Sequence, residues 1–233
     1  MKKVGIIVFV IALVVGVVLA NMSSFGRLGT KFFNVSMNFG GVSGSGNVVK
    51  EARDIRDFQS LDVGGIFRVE ITAQKDFSVE VEADDNLQPL IKTEVRGGTL
   101  HIEADKHLKS NSPIVIRVSA PDIENLEASG VSNISLGNIK NERLGIDSSG
   151  ASKISVQGET SELVIDVSGA SCIDADALRT SSAKVGASGA SSVTVSVSND
   201  LAADASGASK IFYSGTAKNV VKKTSGASSV TQK

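Results

Sequence analysis

The chain is poor in the residues that most often carry chemistry. Its 233 residues include one cysteine, Cys172, so no disulfide can close within it, and a free thiol or a bridge to another chain is what remains. Tryptophan is absent, Tyr213 is the single tyrosine, and aromatic residues make up 4% of the chain. Flat platforms of the kind that stack sugars or bases are therefore scarce. The two histidines, His101 and His107, are too isolated to form a metal-binding motif and read as surface or strand positions. Twenty-four Lys and Arg stand against 25 Asp and Glu, a net charge of −1. That balance excludes a nucleic-acid surface and gives no sign of a patch for anionic membranes. The spacing i, i+3, i+4 that marks an amphipathic helix is missing from residues 122–233.

What the chain has is a repeated corner. Ser-Gly-Ala-Ser occurs at 149–152, 168–171, 188–191, 206–209 and 225–228, and a first copy reads Ser129-Gly130-Val131-Ser132. The glycines Gly130, Gly150, Gly169, Gly189, Gly207 and Gly226 are separated by 20, 19, 20, 18 and 19 residues. A period of that size marks a solenoid. Aligned on the glycine, the position four before it holds Leu126, Ile146, Ile165, Val185, Ala203 and Lys222, and the position four after it holds Ile134, Ile154, Ile173, Val193, Ile211 and Val230. Apolar and polar residues alternate on both flanks, which is the period of a strand. The expected unit is a strand of about five residues on each side of the corner plus a polar return, stacked at about 4.8 Å per coil. The returns are 137–142, 157–161, 177–182, 196–200 and 214–219. Glycine at the bend supplies backbone angles closed to other residues, and a column of serines can bond along the stack. Six equivalent serines without a partnered histidine do not read as nucleophiles, so no catalytic residue is assigned. Collagen and leucine-rich repeats are excluded, because glycine is not every third residue and Leu-x-x-Leu-x-Leu is missing.

Four segments follow. Lys2 and Lys3 precede the uncharged apolar run Val4–Ala20, the layout of an export signal that is cleaved after Ala20 or kept as an N-terminal membrane anchor through residues 4–20. Residues 21–47 form a tether, Gly- and Ser-rich and flexible by composition from Asn38 to Asn47, with some β character at Phe32, Phe33, Val35 and Met37. The Gly44-x-Gly46 spacing lacks the strand-loop-helix setting of a nucleotide site. Residues 48–121 form an N-terminal run of strands, near 58–63, 66–73, 77–83, 99–104 and 114–118, with a short bend or helical turn before a strand within 87–95. Turns fall at Gly64-Gly65, Asp84-Asp85-Asn86 and Gly97-Gly98. Residues 122–233 form the solenoid. The fold class is all-β: a parallel β-helix-like solenoid with coils of about 19 residues behind a strand-rich N-terminal part.

Within this layout the run FQSLDVGGIFRVEITAQKDFSVEVEADDNLQPLIKTEVRGGTLHIEA, then VIRVSAPDIENLEASGVSNISL and the Ser-Gly-Ala-Ser series, resembles the bacterial head GIN domain family of auto-transporter adhesins. The resemblance runs from about Phe58 to the C-terminus. It implies an exported β-solenoid-like domain, often tethered to an envelope, and brings no catalytic residues with it. No auto-transporter barrel follows the repeats before Lys233, a departure from a literal auto-transporter.

One column carries a sharper chemical possibility. Asp147, Asp166 and Asp204 share the position three before the glycine, with Gly186 interrupting. Adjacent coils would bring Asp147 and Asp166 within about 5 Å of each other. Such a pair calls for a cation, a raised pKa or a nearby Lys153 or Lys184 to relieve it. The plainer reading is a solvated outward column with no metal and no cofactor. Cys172 occupies a polar column and should point outward. Lys218, Lys222 and Lys223 should blunt the last open edge, and Phe212-Tyr213 should pack rather than bind. The expected function is an exported cell-envelope adhesin or binding scaffold, in the periplasm, on the envelope or secreted, whose partner is an envelope or cell-surface protein or glycan. The alternatives are a self-assembling structural protein and, behind it, a β-helical polysaccharide-active enzyme.

Overall fold

The computed structural model describes residues 41–233. The export signal or anchor at 1–20 and the tether up to residue 40 lie outside the described residues. Residues 41–47, which composition places in the tether, are fastened down. Strand β1 (Val42–Ser43) pairs in parallel with β8 (Leu108–Lys109), the Gly44 N–H donates to the Lys109 carbonyl at 2.7 Å, and the Gly46 N–H donates to the buried Asp84 carboxylate at 2.8 Å. Bonds to specific acceptors outweigh the freedom that Gly and Ser would otherwise give.

The solenoid is present, of about five turns. Strands β10 (Asn125–Gly130), β11 (Asn133–Gly150), β12 (Lys153–Gly169), β13 (Cys172–Ala187) and β14 (Ser192–Ala205) pair in parallel, each with the next. Strands β15 (Lys210–Ser214), β16 (Asn219–Thr224) and β17 (Ser229–Gln232) complete the stack. Register places Gly130 on Gly150 and Gly150 on Gly169. The residue after each corner glycine donates its N–H to the glycine carbonyl one tier down: Ala151 to Gly130, Ala170 to Gly150, Ala190 to Gly169, Ala208 to Gly189 and Ala227 to Gly207, all at 2.7–2.9 Å. The six bends therefore form one continuous hydrogen-bonded line. At Gly169 φ is +87°, and a Cβ there would press into the Gly150 carbonyl, so close stacking and backbone angle both require glycine.

The returns differ from expectation. Four of them, 137–142, 157–161, 177–182 and 196–200, are not separate polar links but belong to the long strands β11–β14, which turn at register shifts between Leu136 and Ile139, between Ser155 and Gln157 and between Ala175 and Arg179, whereas 214–219 is a separate link between β15 and β16. A bulge bends a strand without ending its ladder, so the return keeps its backbone partners and sends Ile139, Leu178 and Val197 into the core. With Ile134, Ile154, Ile173, Val193 and Ile211 they fill an aliphatic interior. Burying each such side chain stabilises the fold by about 1.5–3 kcal/mol, and each tier supplies the roof of the next.

Two more tiers lie in the region that reads as a separate run of strands. β3 (Ser60–Gly65) and β4 (Arg68–Thr72) pair in parallel with β10 and β11, putting Gly65 in line with Gly130. β7 (Thr99–Ala104) and β9 (Val115–Ser119) pair in parallel with the opposite edges of β3 and β4. The stack thus departs from chain order: the later pair, β7 and β9, lies beneath β3 and β4. The remaining strands close that end in antiparallel pairing. β6 (Ile91–Arg96) covers β7, β5 (Ser78–Asp84) covers β9, and β2 (Val48–Arg53) covers β5. A 3₁₀ turn, Gln88–Leu90, joins β5 to β6. One hydrophobic core runs from Phe58 to Tyr213 through both regions.

Candidate functional site

The Asp column occupies the outer face of the strands that lead into the corners. The inner neighbours Ile146, Ile165, Val185 and Ala203 are buried, and strand alternation turns Asp147, Asp166 and Asp204 outward. Register sets Asp147 beside Asp166, Asp166 beside Gly186, Gly186 beside Asp204 and Asp204 beside Lys223. The absent side chain at Gly186 is used: the Asp166 carboxylate leans into the space a Cβ would fill.

The column is longer than the three aspartates. Glu127 pairs with Asp147 on one side and with Asp62 on the other, and Asp62 pairs with His101. His101 Nδ1 lies 3.0 Å from Asp62 Oδ2, so the histidine that seemed isolated ends the acidic row with a polar contact. Counting three back from Gly130 finds Glu127, and counting three back from Gly65 finds Asp62; the second signal was hidden because Gly64-Gly65 reads as an ordinary turn. Together these carboxylates line an open groove of about 860 Å³, bordered by the outward serines Ser129, Ser149, Ser168 and Ser188. Lys184 and Lys223 are its cations. Lys153 is not among them; it lies past the corner and offsets none of this charge.

Burial and the neighbouring Asp166 charge push the Asp147 carboxyl above its ordinary range. Among the described residues, no group of three or more His, Cys, Asp or Glu is placed to hold a metal ion. The face can therefore offer a row of carboxylates and hydroxyls to a cationic or hydroxyl-rich partner, by hydrogen bonds and charge.

The motif's two serines divide the work. The first faces the groove. The second is buried in Ser132, Ser152, Ser171, Ser191 and Ser209. Its hydroxyl bonds mainly to backbone: Ser132 to the Gly65 carbonyl at 3.2 Å, Ser191 to that of Ser188 at 2.8 Å, and Ser209 to those of Ser206 at 2.8 Å and Ala187 at 3.0 Å. A hydroxyl-to-hydroxyl bond joins Ser148 to Ser171 at 2.9 Å, and the Ser152 N–H also donates to the Ser171 hydroxyl at 3.1 Å. Cys172 is exposed. Tyr213 packs into the core, and Lys222 sits 4.7 Å above its ring, closing the last tier where other coils place an aliphatic residue.

A parallel β-solenoid with an antiparallel cap and an acid-lined repeat face is the class these features define. The family described as "putative auto-transporter adhesin, head GIN domain" matches residues 57–217, and the chain belongs to that family. Its fold is similar to that of the crystal structure of a putative adhesin from Bacteroides fragilis, at 17% identity and a TM-score of 0.67, over 83% of this chain and all of that one. A putative lipid binding protein from Parabacteroides distasonis aligns at 18% identity and a TM-score of 0.47, over 82% of this chain and 99% of the other. A putative adhesin from Parabacteroides merdae aligns at 16% and 0.45, over 82% and 98%. No curated protein matches the chain. Among the described residues no helix is long and apolar enough to cross a membrane.

Proposed function

We propose that the protein is an exported, envelope-associated binding scaffold of adhesin type, non-catalytic, whose repeat face engages a cationic protein or glycan. The observation that carries this reading is the in-register row Asp62, Glu127, Asp147 and Asp166 along one open groove. A solenoid face multiplies one weak contact by the number of tiers. Export is supported by Lys2-Lys3 ahead of Val4–Ala20. Fractionation of the native cells with N-terminal sequencing of the product tests export; a cytoplasmic chain that starts at Met1 overturns it. Binding of the purified protein to native cell envelopes and to host-type surfaces tests the groove. The triple substitution Glu127→Gln, Asp147→Asn, Asp166→Asn should abolish that binding, and a full-strength variant would move the site elsewhere.

One observation favours a polysaccharide-active alternative: register sets Asp147, its carboxyl pushed above the ordinary range, directly beside Asp166, an arrangement that resembles an acid–base pair. Hydrolysis of any glycan in a panel, lost in Asp147→Asn, would establish it in place of simple binding.

A further inference from the structure

We infer a second, unassigned site at the opposite side of the corner line, built to take a single-chain anionic amphiphile, an aliphatic tail with a carboxylate or phosphate head. It is a pocket of about 1010 Å³, at the upper end of the roughly 300–1,000 Å³ that suits small-molecule ligands.

Its floor is apolar for a reason the repeat makes plain. The position after the corner glycine is Ala in the later coils, at Ala151, Ala170, Ala190, Ala208 and Ala227. In the two tiers nearest the cap it is Ile66 and Val131, exposed by 58% and 56%. These side chains are neighbours, since Gly65 and Gly130 are in register and the Val131 N–H donates to the Gly65 carbonyl at 2.9 Å. The tier beneath has no tight corner. There the Asp105–Ile114 loop bridges β7 to β9 and lines the same pocket. Enlarged side chains left uncovered in a pocket are unlike the scattered exposed residues of an ordinary surface.

The rim is cationic. Arg68, Lys106, Lys109 and Lys153 line it, and among the described residues none of them forms an ion pair. The loop's own carboxylate, Asp105, is engaged elsewhere, by Lys92 at 2.6 Å. A polar anion would leave the aliphatic floor wet, and a neutral alkane would leave four charges unanswered. A molecule with both parts satisfies both surfaces. The recess under the loop favours a single molecule over a bilayer surface, which aliphatics at an open tip would suit better.

The test uses the full chain and a diazirine-bearing hexadecanoate below its micelle concentration, with labelled peptides located by mass spectrometry. Label is expected on the segments carrying Ile66, Val131 and Leu108. Val131→Asp should weaken binding about tenfold or more, from the lost apolar contact. Val131→Ala restores the corner of the other coils, so it keeps the fold, and should weaken binding about threefold. Lys109→Glu should weaken it about threefold at low salt, less as salt rises. Ala208→Asp, in the column of Val131, and Lys210→Glu, in the column of Arg68 and Lys153, both far from the cap, should change nothing. Hexadecyl phosphate should compete, whereas hexadecanol and inorganic phosphate should compete poorly. Label confined to residues 4–20, equal labelling of wild type and both Val131 variants, or binding only to vesicles of anionic phospholipid would each overturn the site.

Discussion

The tiers before residue 120 and those after it share one cross-section but not one sequence. In the later tiers each bend is Ser-Gly-Ala-Ser, or Ser-Gly-Val-Ser at Gly130, and each glycine rests on the glycine below. In the earlier tiers one bend is Gly64-Gly65-Ile66-Phe67, and the other is replaced by the Asp105–Ile114 loop. The comparison separates what the coil needs from what it merely repeats. Parallel pairing and alternating aliphatics suffice to make a tier, whereas close stacking of one bend on another demands glycine. The two regions also answer to pH in opposite directions. In the cap, the Arg117 guanidinium beside Glu82 and the Ser45 hydroxyl beside Asp85 hold those carboxyls below their ordinary range. On the repeat face, Asp147 is pushed up.

The largest effect should come from Gly169→Val, where the new side chain meets the Gly150 backbone and φ is +87°. A loss of about 3 kcal/mol or more is expected in denaturant unfolding. Gly65→Val sharpens the contrast, because the atoms nearest a Cβ there belong to the Phe67 side chain of its own tier and not to backbone. It should cost about 1–2 kcal/mol, mainly strain at φ +136°. Equal losses in the two variants would mean that the stacked carbonyl is not what forbids a side chain.

Next comes Ser171→Ala, which leaves the Ser152 N–H without its acceptor and should cost about 1 kcal/mol. Ser168→Ala, on the outer face, should leave the melting curve where it is. The reverse order would reassign the two serines.

The smallest effect is electrostatic. Asp147 has a folded pKa above its unfolded one, so its share of stability is whole below the unfolded value and is lost as pH rises through the folded value. Asp147→Asn should therefore stabilise at pH 7 by about 0.5 kcal/mol or less, given its exposure, and do nothing at a pH low enough to protonate both states. Glu82 has the opposite sign: its contribution is present above the unfolded value and is lost as pH falls through the folded one. Glu82→Gln should lower the melting temperature at neutral pH, with the difference vanishing in acid. Matching pH profiles for the two variants would erase the distinction between cap and face.

The repeat half was readable because a bend recurring every 18–20 residues exposes itself in any alignment, and the outward column followed from alternation alone. Asp62 escaped notice because its bend lacks the serines, although Gly65 supplies the same register. The placing of β7 and β9 beneath β3 and β4 leaves no periodic trace, since it is settled by pairing between segments far apart in the chain. The anchoring of 41–47 rests on pairing with β8 and on Asp84, a carboxylate whose burial no local pattern reveals. Gly and Ser composition pointed the other way.

The inverted order of the first two tiers has a consequence for how the molecule comes into being. Ser60–Thr72 leaves the ribosome ahead of every segment that will flank it, and it finishes as a slab covered above and below. It is thus a template with two growing surfaces, one receiving the lid and the other the ladder of coils. Amide exchange should be slowest at Val63 and Val69, and slowest exchange in the mid-repeat strands instead would place the seed among the coils.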